Sequence, residues 1–452
     1  MTDKDQKDVL QTITACAANY SPTTIYAHST QLWDSLKFEV FNAQEEDLAA
    51  EALIAIRAIA VKLSSGLTST TPQSPLARFL RPIATECNER LREPQQKQAR
   101  PAGQVLGSLA TASPMAFDLT IKAVVAPLLA IYRDTNGIGK QRALLEVLGQ
   151  LFQSALTVYG FWGSMEVYPK VENALDGFKD GLFEIFCGAL MGTSKEEVSF
   201  RIVALRGLLR LAKLREFLAE HEIGMVVQHF DEIVLAEDSD GKVDLREEAV
   251  QALLEISKIK SNLIMDITLP AFMAKLPDSD TEGAIHYIGT LEGLAKLGVE
   301  REIFEVLMRR LLNKLDIVLG NNSSPAYPKA ILSTLNYILS LRSLEDDPNL
   351  QVYYERLVSG LIRKAVLPLQ GIGNTTALND GDVLEVIGRL ANLIVRSLDA
   401  SQQRPIVSEV FNIYSSREGE QLSALATDAS PERRRTIILS SYLLAGIRRE
   451  VY

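Results

Sequence analysis

The sequence predicts an all-α solenoid of stacked helical pairs, and three observations predict it. An apolar helix opening on a small or branched residue recurs along the chain. Composition is 47% hydrophobic but only 7% aromatic, with Leu, Ala, Ile and Val dominant, which suits helix-on-helix packing better than β structure. No stretch alternates apolar and polar residues long enough to read as a sheet.

The recurring openings read EALIAIRAIAVKL from Glu51, QRALLEVLGQLF from Gln141, FRIVALRGLLRL from Phe200, REEAVQALLEI from Arg246, TEGAIHYIGTLEGL from Thr281, YPKAILSTLNYIL from Tyr327 and GDVLEVIGRLANL from Gly381. Anchors at Ala52, Ala102, Ala143, Ile202, Ala249, Ala284, Ala330 and Val383 are 50, 41, 59, 47, 35, 46 and 53 residues apart. HEAT and armadillo repeats run at roughly 40–47 residues, stretched here by insertions. The expected fold is therefore a HEAT/armadillo-like α-α superhelix, right-handed, of about eight or nine pairs. A pair cannot bury its apolar face alone, so neighbours must stack. Second helices such as 197–213 and 246–258 are expected to line the concave side, and Leu209 is assigned to the core. Residues 1–400 read as the solenoid. Residues 401–452 read as an irregular loop and a terminal helix that end the array.

First helices carry apolar residues at helical spacing. In QLWDSLKFEVF the predicted face joins Leu32, Leu36, Phe38 and Val40. Pro82, Pro127, Pro270 and Pro368 each follow a residue of a first helix; each either kinks that helix or starts one at its first turn. Clusters rich in Gly, Pro, Asn, Asp and Ser separate the helices, at 64–75, 134–140, 191–197, 236–242, 276–283, 320–328 and 370–382. Ser194 followed by Glu197 has the spacing of a capping box.

Net charge is −10 and the isoelectric point about 5.2, which argues against broad binding to nucleic acid or anionic membranes. The apolar stretch LTIKAVVAPLLAIY is short, contains Lys122 and is interrupted by Pro127, so no membrane span is expected. The charged start MTDKDQKDVL has no signal-peptide core. Cys16, Cys87 and Cys187 are 71 and 100 residues apart. That spacing implies neither a disulfide framework nor the roughly four thiolates of an iron–sulfur site. Together these features predict a soluble intracellular protein. Cys16 and Cys187 read as small buried apolar residues.

No catalytic, cofactor-binding or metal-binding residue is assigned. AEDSDGKVDLREE resembles a calcium loop, with Asp238, Asp240, Gly241, Asp244 and Glu247 in register, but Ala236 stands at its first ligand position. The competing reading is a turn inside a repeat. GIGK at 137–140 lacks the earlier glycine and the following Ser or Thr of a phosphate loop. His28, His221, His229 and His286 have no metal-ligand spacing. No nucleophile–base set is visible, so the chain is not expected to be an enzyme. Arg206, Arg210 and Lys213 fall on one face of a second helix: either a basic stripe for an acidic partner or a solvated face. PERRRT at 431–436 holds too short a basic run to mark nuclear import.

Two stretches carry a family resemblance: LWDSLKFEVFNAQEEDLAAEALIAIRAIAVKLS (32–64) and LDGFKDGLFEIFCGALMGTSKEEVSFRIVALRGLLRLAKL (175–214). Their most specific parts are LWDSLKFEVF and GFKD before an apolar helix. Both resemble the C-terminal half of the Mms-nineteen family, called Met-eighteen in yeast, with a looser match over most of residues 1–400. Full members are longer, so the chain reads as part of a longer array. The resemblance implies a HEAT-repeat adaptor of the cytosolic iron–sulfur protein assembly machinery, acting in cytoplasm and nucleus. Its implied partners are a β-propeller subunit, a cluster-delivery subunit and apo iron–sulfur clients of DNA repair, replication and transcription, such as DNA helicases and polymerases. No direct nucleic acid, membrane or resident cofactor is implied. The alternative is a HEAT scaffold of transport or phosphatase type with unrelated cargo.

Overall fold

The computed structural model describes residues 3–42, 45–67, 71–164, 172–236, 245–279, 286–321, 324–344, 353–362, 376–415 and 431–451. Among them there is no strand, only one isolated antiparallel bridge between Phe161 and Leu214. The chain forms two compact units, residues 1–230 with 238–259, and residues 231–237 with 260–452.

The first unit opens with α1 (Asp3–Asn19), α2 (Pro22–Ala27) and α3 (Ser29–Asn42), packed on α4 (Glu46–Ser64). The pairs that follow are α5 (Pro75–Leu91) with α6 (Ala99–Ala110), α7 (Pro114–Asp134) with α8 (Ile138–Tyr159), and α9 (Lys179–Met191) with α10 (Val198–Lys213). Next come α11 (Glu220–Ala236), whose residues from Asp231 belong to the second unit, and α12 (Leu245–Ser257). Every anchor the sequence picks out in this unit lies on a second helix, and α4, α6, α8, α10 and α12 contact each other in that order. In the second unit α13 (Ser261–Leu263), a π-helical turn (Ile264–Thr268) and α14 (Leu269–Lys275) precede α15 (His286–Leu297), α16 (Arg301–Gly320) and α17 (Ala326–Leu344). Then come α18 (Gly381–Ser397), α19 (Ala400–Ser415) and α20 (Pro431–Ala445). The second-helix stack here is α15, α17, α18 and α20. Ala284 lies outside the described residues.

Close approach explains the glycines in the middle of these helices. A Cβ at Gly207 of α10 would lie 2.0 Å from the Phe186 ring of α9, itself 5.2 Å from the Phe152 ring of α8. Gly388 of α18 likewise seats Tyr442 of α20, and Gly293 of α15 seats Phe272 of α14. Each glycine lets an aromatic ring fill the space between helices that any side chain would occupy.

Local signals account for the helix starts. Ser21, Ser74 and Ser113 each accept a backbone N–H of the first turn, and each precedes a proline at the first helical position. The predicted box at Ser194 and Glu197 does not form. α10 starts at Val198, and the Ser194 hydroxyl accepts only the Glu196 N–H, at 3.4 Å, within the preceding turn. Half of such a box appears on α11, where Glu222 accepts the Ala219 N–H at 2.6 Å. Pro82 and Pro127 lie inside continuous helices. Pro270 follows the π turn, which absorbs the missing hydrogen-bond donor. Pro368 lies outside the described residues.

Several sequence expectations need correction. Phe38 is 62% exposed, and Trp33 takes its place beside Leu36 and Val40 on the buried face of α3. The Trp33 indole donates to Glu86 of α5, which also pairs with Arg90 and Lys37. Pro127 does not interrupt α7, which is long and apolar enough to cross a membrane by length and composition; it packs against α5, α6 and α8. Leu209 is half-buried, whereas Leu205, Leu208 and Leu211 are buried. Helix α10 turns the 205–208–211 stripe inward and leaves Leu209 at its margin. Cys16 and Cys187 are half-buried and only Cys87 is fully buried; all three are free. Residues 400–415 form a regular helix, α19, where irregular chain was expected. The fully buried Gln403 ties it to both neighbours, donating to Val395 O and accepting from Arg448 N.

Leu208→Asp is expected to cost about 3 kcal/mol or more, and Leu209→Asp roughly 1 kcal/mol. Gly207→Ala should cost about 1–3 kcal/mol through overpacking against Phe186. Denaturant melts of the three variants check the ranking.

Candidate functional site

The outward face of the second helices carries the most organised polar chemistry. On α10 the residues that point away from the core are Ser199, Arg206, Arg210 and Lys213. The sequence placed three of these on one stripe, and the structure brings their counter-ions from the next second helix. Arg206 makes a two-pronged bond to Glu248 of α12, at 3.1 and 2.6 Å. Lys213 reaches Glu255 at 2.8 Å. Both pairs are separated by 42 residues, close to one repeat. Hydrogen bonding from Lys213 and Lys258 outweighs partial burial and holds the Glu255 carboxyl below its ordinary value of 4.5. Arg206 is stabilised as a cation chiefly by its hydrogen bond to Glu248.

Arg210 differs. Its guanidinium lies against Gly149 of α8, where a Cβ would be 2.8 Å from Nη1. No carboxylate among the described residues pairs with it. Burial, then the like charge of Arg206, pulls its pKa down from 12.5. Two turns earlier on α8, Arg142 bonds Ser199 of α10 and pairs with Glu146 at 3.4 Å. Arg201 faces inward instead: it is 5% exposed and donates to Leu190 O at the end of α9.

A cleft of about 470 Å³ opens between the start of α6 and α8, lined by Lys97, Arg100, Arg142, Glu146, Val147 and Gln150. The Gln150 side-chain oxygen is buried there without a hydrogen-bond donor among the described residues. In the second unit a groove of about 420 Å³ runs between α15 and α17 and is mainly apolar. Ile288 and Tyr337 on its walls are 41% and 48% exposed. Sequence reading identified neither opening. The one available signal was the arginine just before two anchors, Arg100 before Ala102 and Arg142 before Ala143.

Gly137 of the GIGK segment has φ +125° and caps α8, and Lys140 pairs with Glu93 at 3.5 Å. The segment therefore serves as a helix start. The calcium-like loop falls mostly in 237–244, outside the described residues. Of the predicted basic run at the C-terminal end, Arg434 and Arg435 lie on α20. Among the described residues no three His, Cys, Asp or Glu side chains gather as a metal site. Burial pushes the Cys187 thiol up to about 11 and the Cys87 thiol higher still, so neither is a thiolate near neutrality.

Residues 290–452 match a family model described as RNAPII transcription regulator C-terminal, the MMS19 C-terminal model. Residues 2–42, which include LWDSLKFEVF, match the MMS19 N-terminal model, described as Dos2-interacting transcription regulator of RNA-Pol-II. The DNA repair/transcription protein mms19 of Schizosaccharomyces pombe is 24% identical over 86% of this chain and 37% of its own length. The MMS19 nucleotide excision repair protein homolog of Homo sapiens is 29% identical over 51% of this chain and 22% of its own length. The corresponding DNA repair/transcription protein of Saccharomyces cerevisiae is 21% identical over 73% of this chain and 34% of its own length. The chain thus spans about a third of the length of the first of these relatives. A solved structure of importin beta aligns with 98% of this chain and 55% of its own, at 15% identity and a TM-score of 0.41.

Removing one member of the Arg206–Glu248 pair should cost no more than about 1 kcal/mol, with a coupling of similar size in a double-mutant cycle that shrinks as salt rises. Glu255 titrates lower in the folded chain than in the unfolded one. Its contribution is therefore complete above the unfolded value near 4.5 and lost as pH falls below it. The stability difference between wild type and Glu255→Gln should vanish on acidification, as followed by melts across that range.

Proposed function

The chain belongs to the MMS19 family of DNA repair and transcription proteins, and from that premise we propose that it is a non-catalytic adaptor of cytosolic iron–sulfur protein assembly. Its task is to hold apo-proteins of DNA repair, replication and transcription, DNA helicases and polymerases among them, beside the machinery that inserts the cluster. A β-propeller subunit and a cluster-delivery subunit are the proposed co-partners, and cytoplasm and nucleus the proposed compartments.

The observation that carries the reading is the second-helix face itself. It offers a charged cleft in one unit and a mainly apolar groove in the other. Surfaces of this kind bind polypeptide rather than transform small molecules. Holding two partners on one chain makes their encounter intramolecular and raises effective concentration, which is all the catalysis an adaptor needs.

Affinity purification of the chain from its own cell extract, followed by mass spectrometry, tests the proposal. Recovery of the propeller and delivery subunits with iron–sulfur enzymes is expected. Recovery of transport cargo or phosphatase subunits instead would contradict it. So would stoichiometric iron in the purified chain.

A further inference from the structure

Arg210 and the α6–α8 cleft meet along α8. The Arg210 guanidinium rests on Gly149, on the side of α8 that meets α10, and Arg142 of the cleft wall reaches the same side, bonding Ser199 of α10. At the other end of the cleft stand Lys97 and Arg100, both exposed and both without an acidic partner among the described residues. Arg206 and Lys213, on the same helix as Arg210, are already neutralised by Glu248 and Glu255. In a chain of net charge −10, this stretch of one face therefore holds positive charge in excess of what the fold uses.

Holding such charge is costly. Arg210 is partly desolvated, faces the like charge of Arg206 and receives no compensating carboxylate. One ligand chemistry offsets that cost: carboxylates set against the unpaired cations. We propose that the outer face of α6, α8 and α10 is a docking surface for an acidic polypeptide segment of a partner protein. Its carboxylates pair with Arg210 and with Lys97 and Arg100 at the far end of the cleft. Nucleic acid fits less well. Glu146 stands within the cleft and the chain carries a net charge of −10, which oppose a continuous phosphate backbone more than a segment whose charges are discrete.

The proposal rests on the adaptor reading and is tested apart from it. The 452-residue chain is titrated into a fluorescein-labelled peptide of alternating glutamate and alanine, with a glutamine–alanine peptide and an oligothymidine as comparison probes. The glutamate peptide should bind, the glutamine peptide should not, and Arg100→Glu with Arg210→Glu should weaken binding by roughly tenfold or more. Lys122→Glu on the first helix α7 should leave binding unchanged. Arg210→Met should keep or raise the melting temperature while losing affinity, because no internal ion pair is lost; Arg206→Met should lower it. Equal affinity of wild type and the Arg100/Arg210 variant would overturn the proposal, as would equal binding of the two peptides. Tighter binding of oligothymidine that is lost in the same variant would also overturn it, by showing a nucleic-acid site. Recovery of the assembly partners by the Arg100/Arg210 variant chain would leave the adaptor reading standing whatever the peptide result.

Discussion

Each second helix must sit close to two others and to its own first helix, and the rest of the structure follows from that spacing. A helix carrying bulky residues all round could meet one neighbour but not three. The chain meets the constraint with small residues at the contacts: Ala52, Ala102 and Ala249 are fully buried, and Gly207, Gly293 and Gly388 each seat an aromatic ring from a neighbouring helix. The first helices supply the bulk, with Phe186 and Phe272 filling the spaces the glycines leave. Stability is thereby shared between adjacent pairs rather than concentrated in one centre.

The same constraint creates the functional surface. With three sides of a second helix committed to packing, its fourth side is the one left to carry chemistry, and it does so in register from repeat to repeat. The bonds from Arg206 to Glu248 and from Lys213 to Glu255 stitch one repeat to the next across that face. Individually they contribute little, since these side chains are partly exposed and screened. Their larger effect is to decide which charges remain. Arg210, set between them and lowered onto Gly149, is left over. A fold that needed only its own stability would gain by replacing it with an apolar side chain.

Much of this was legible in the sequence because the signal was periodic. The repeat anchors all fall, where described, on second helices, and the Ser-Pro pairs at 21–22, 74–75 and 113–114 mark true helix starts. What was not legible depends on direction rather than spacing. The Phe38 assignment was instead an error of register: Trp33, three and seven residues from Leu36 and Val40, shares their face, whereas Phe38 lies about 200° round from Leu36. Leu209 fits the apolar run as well as Leu208 does, yet a rotation of about 100° separates buried from marginal. The basic stripe on α10 was visible. Its partition into two paired cations and one unpaired was not, because the partners lie 42 residues away on another helix. The cleft was invisible for the same reason: its walls come from two helices and a turn.

The central claim is that partners dock on the second-helix face, and cross-linking mass spectrometry of the purified assembly tests it most directly. Lysines on or beside that face, Lys97, Lys213 and Lys258 among them, should carry the links to partner chains. Lys122 of α7 and Lys275 of α14, on first helices, should carry few or none. Links concentrated on Lys122 and Lys275, with Lys97, Lys213 and Lys258 unlinked, would contradict the account.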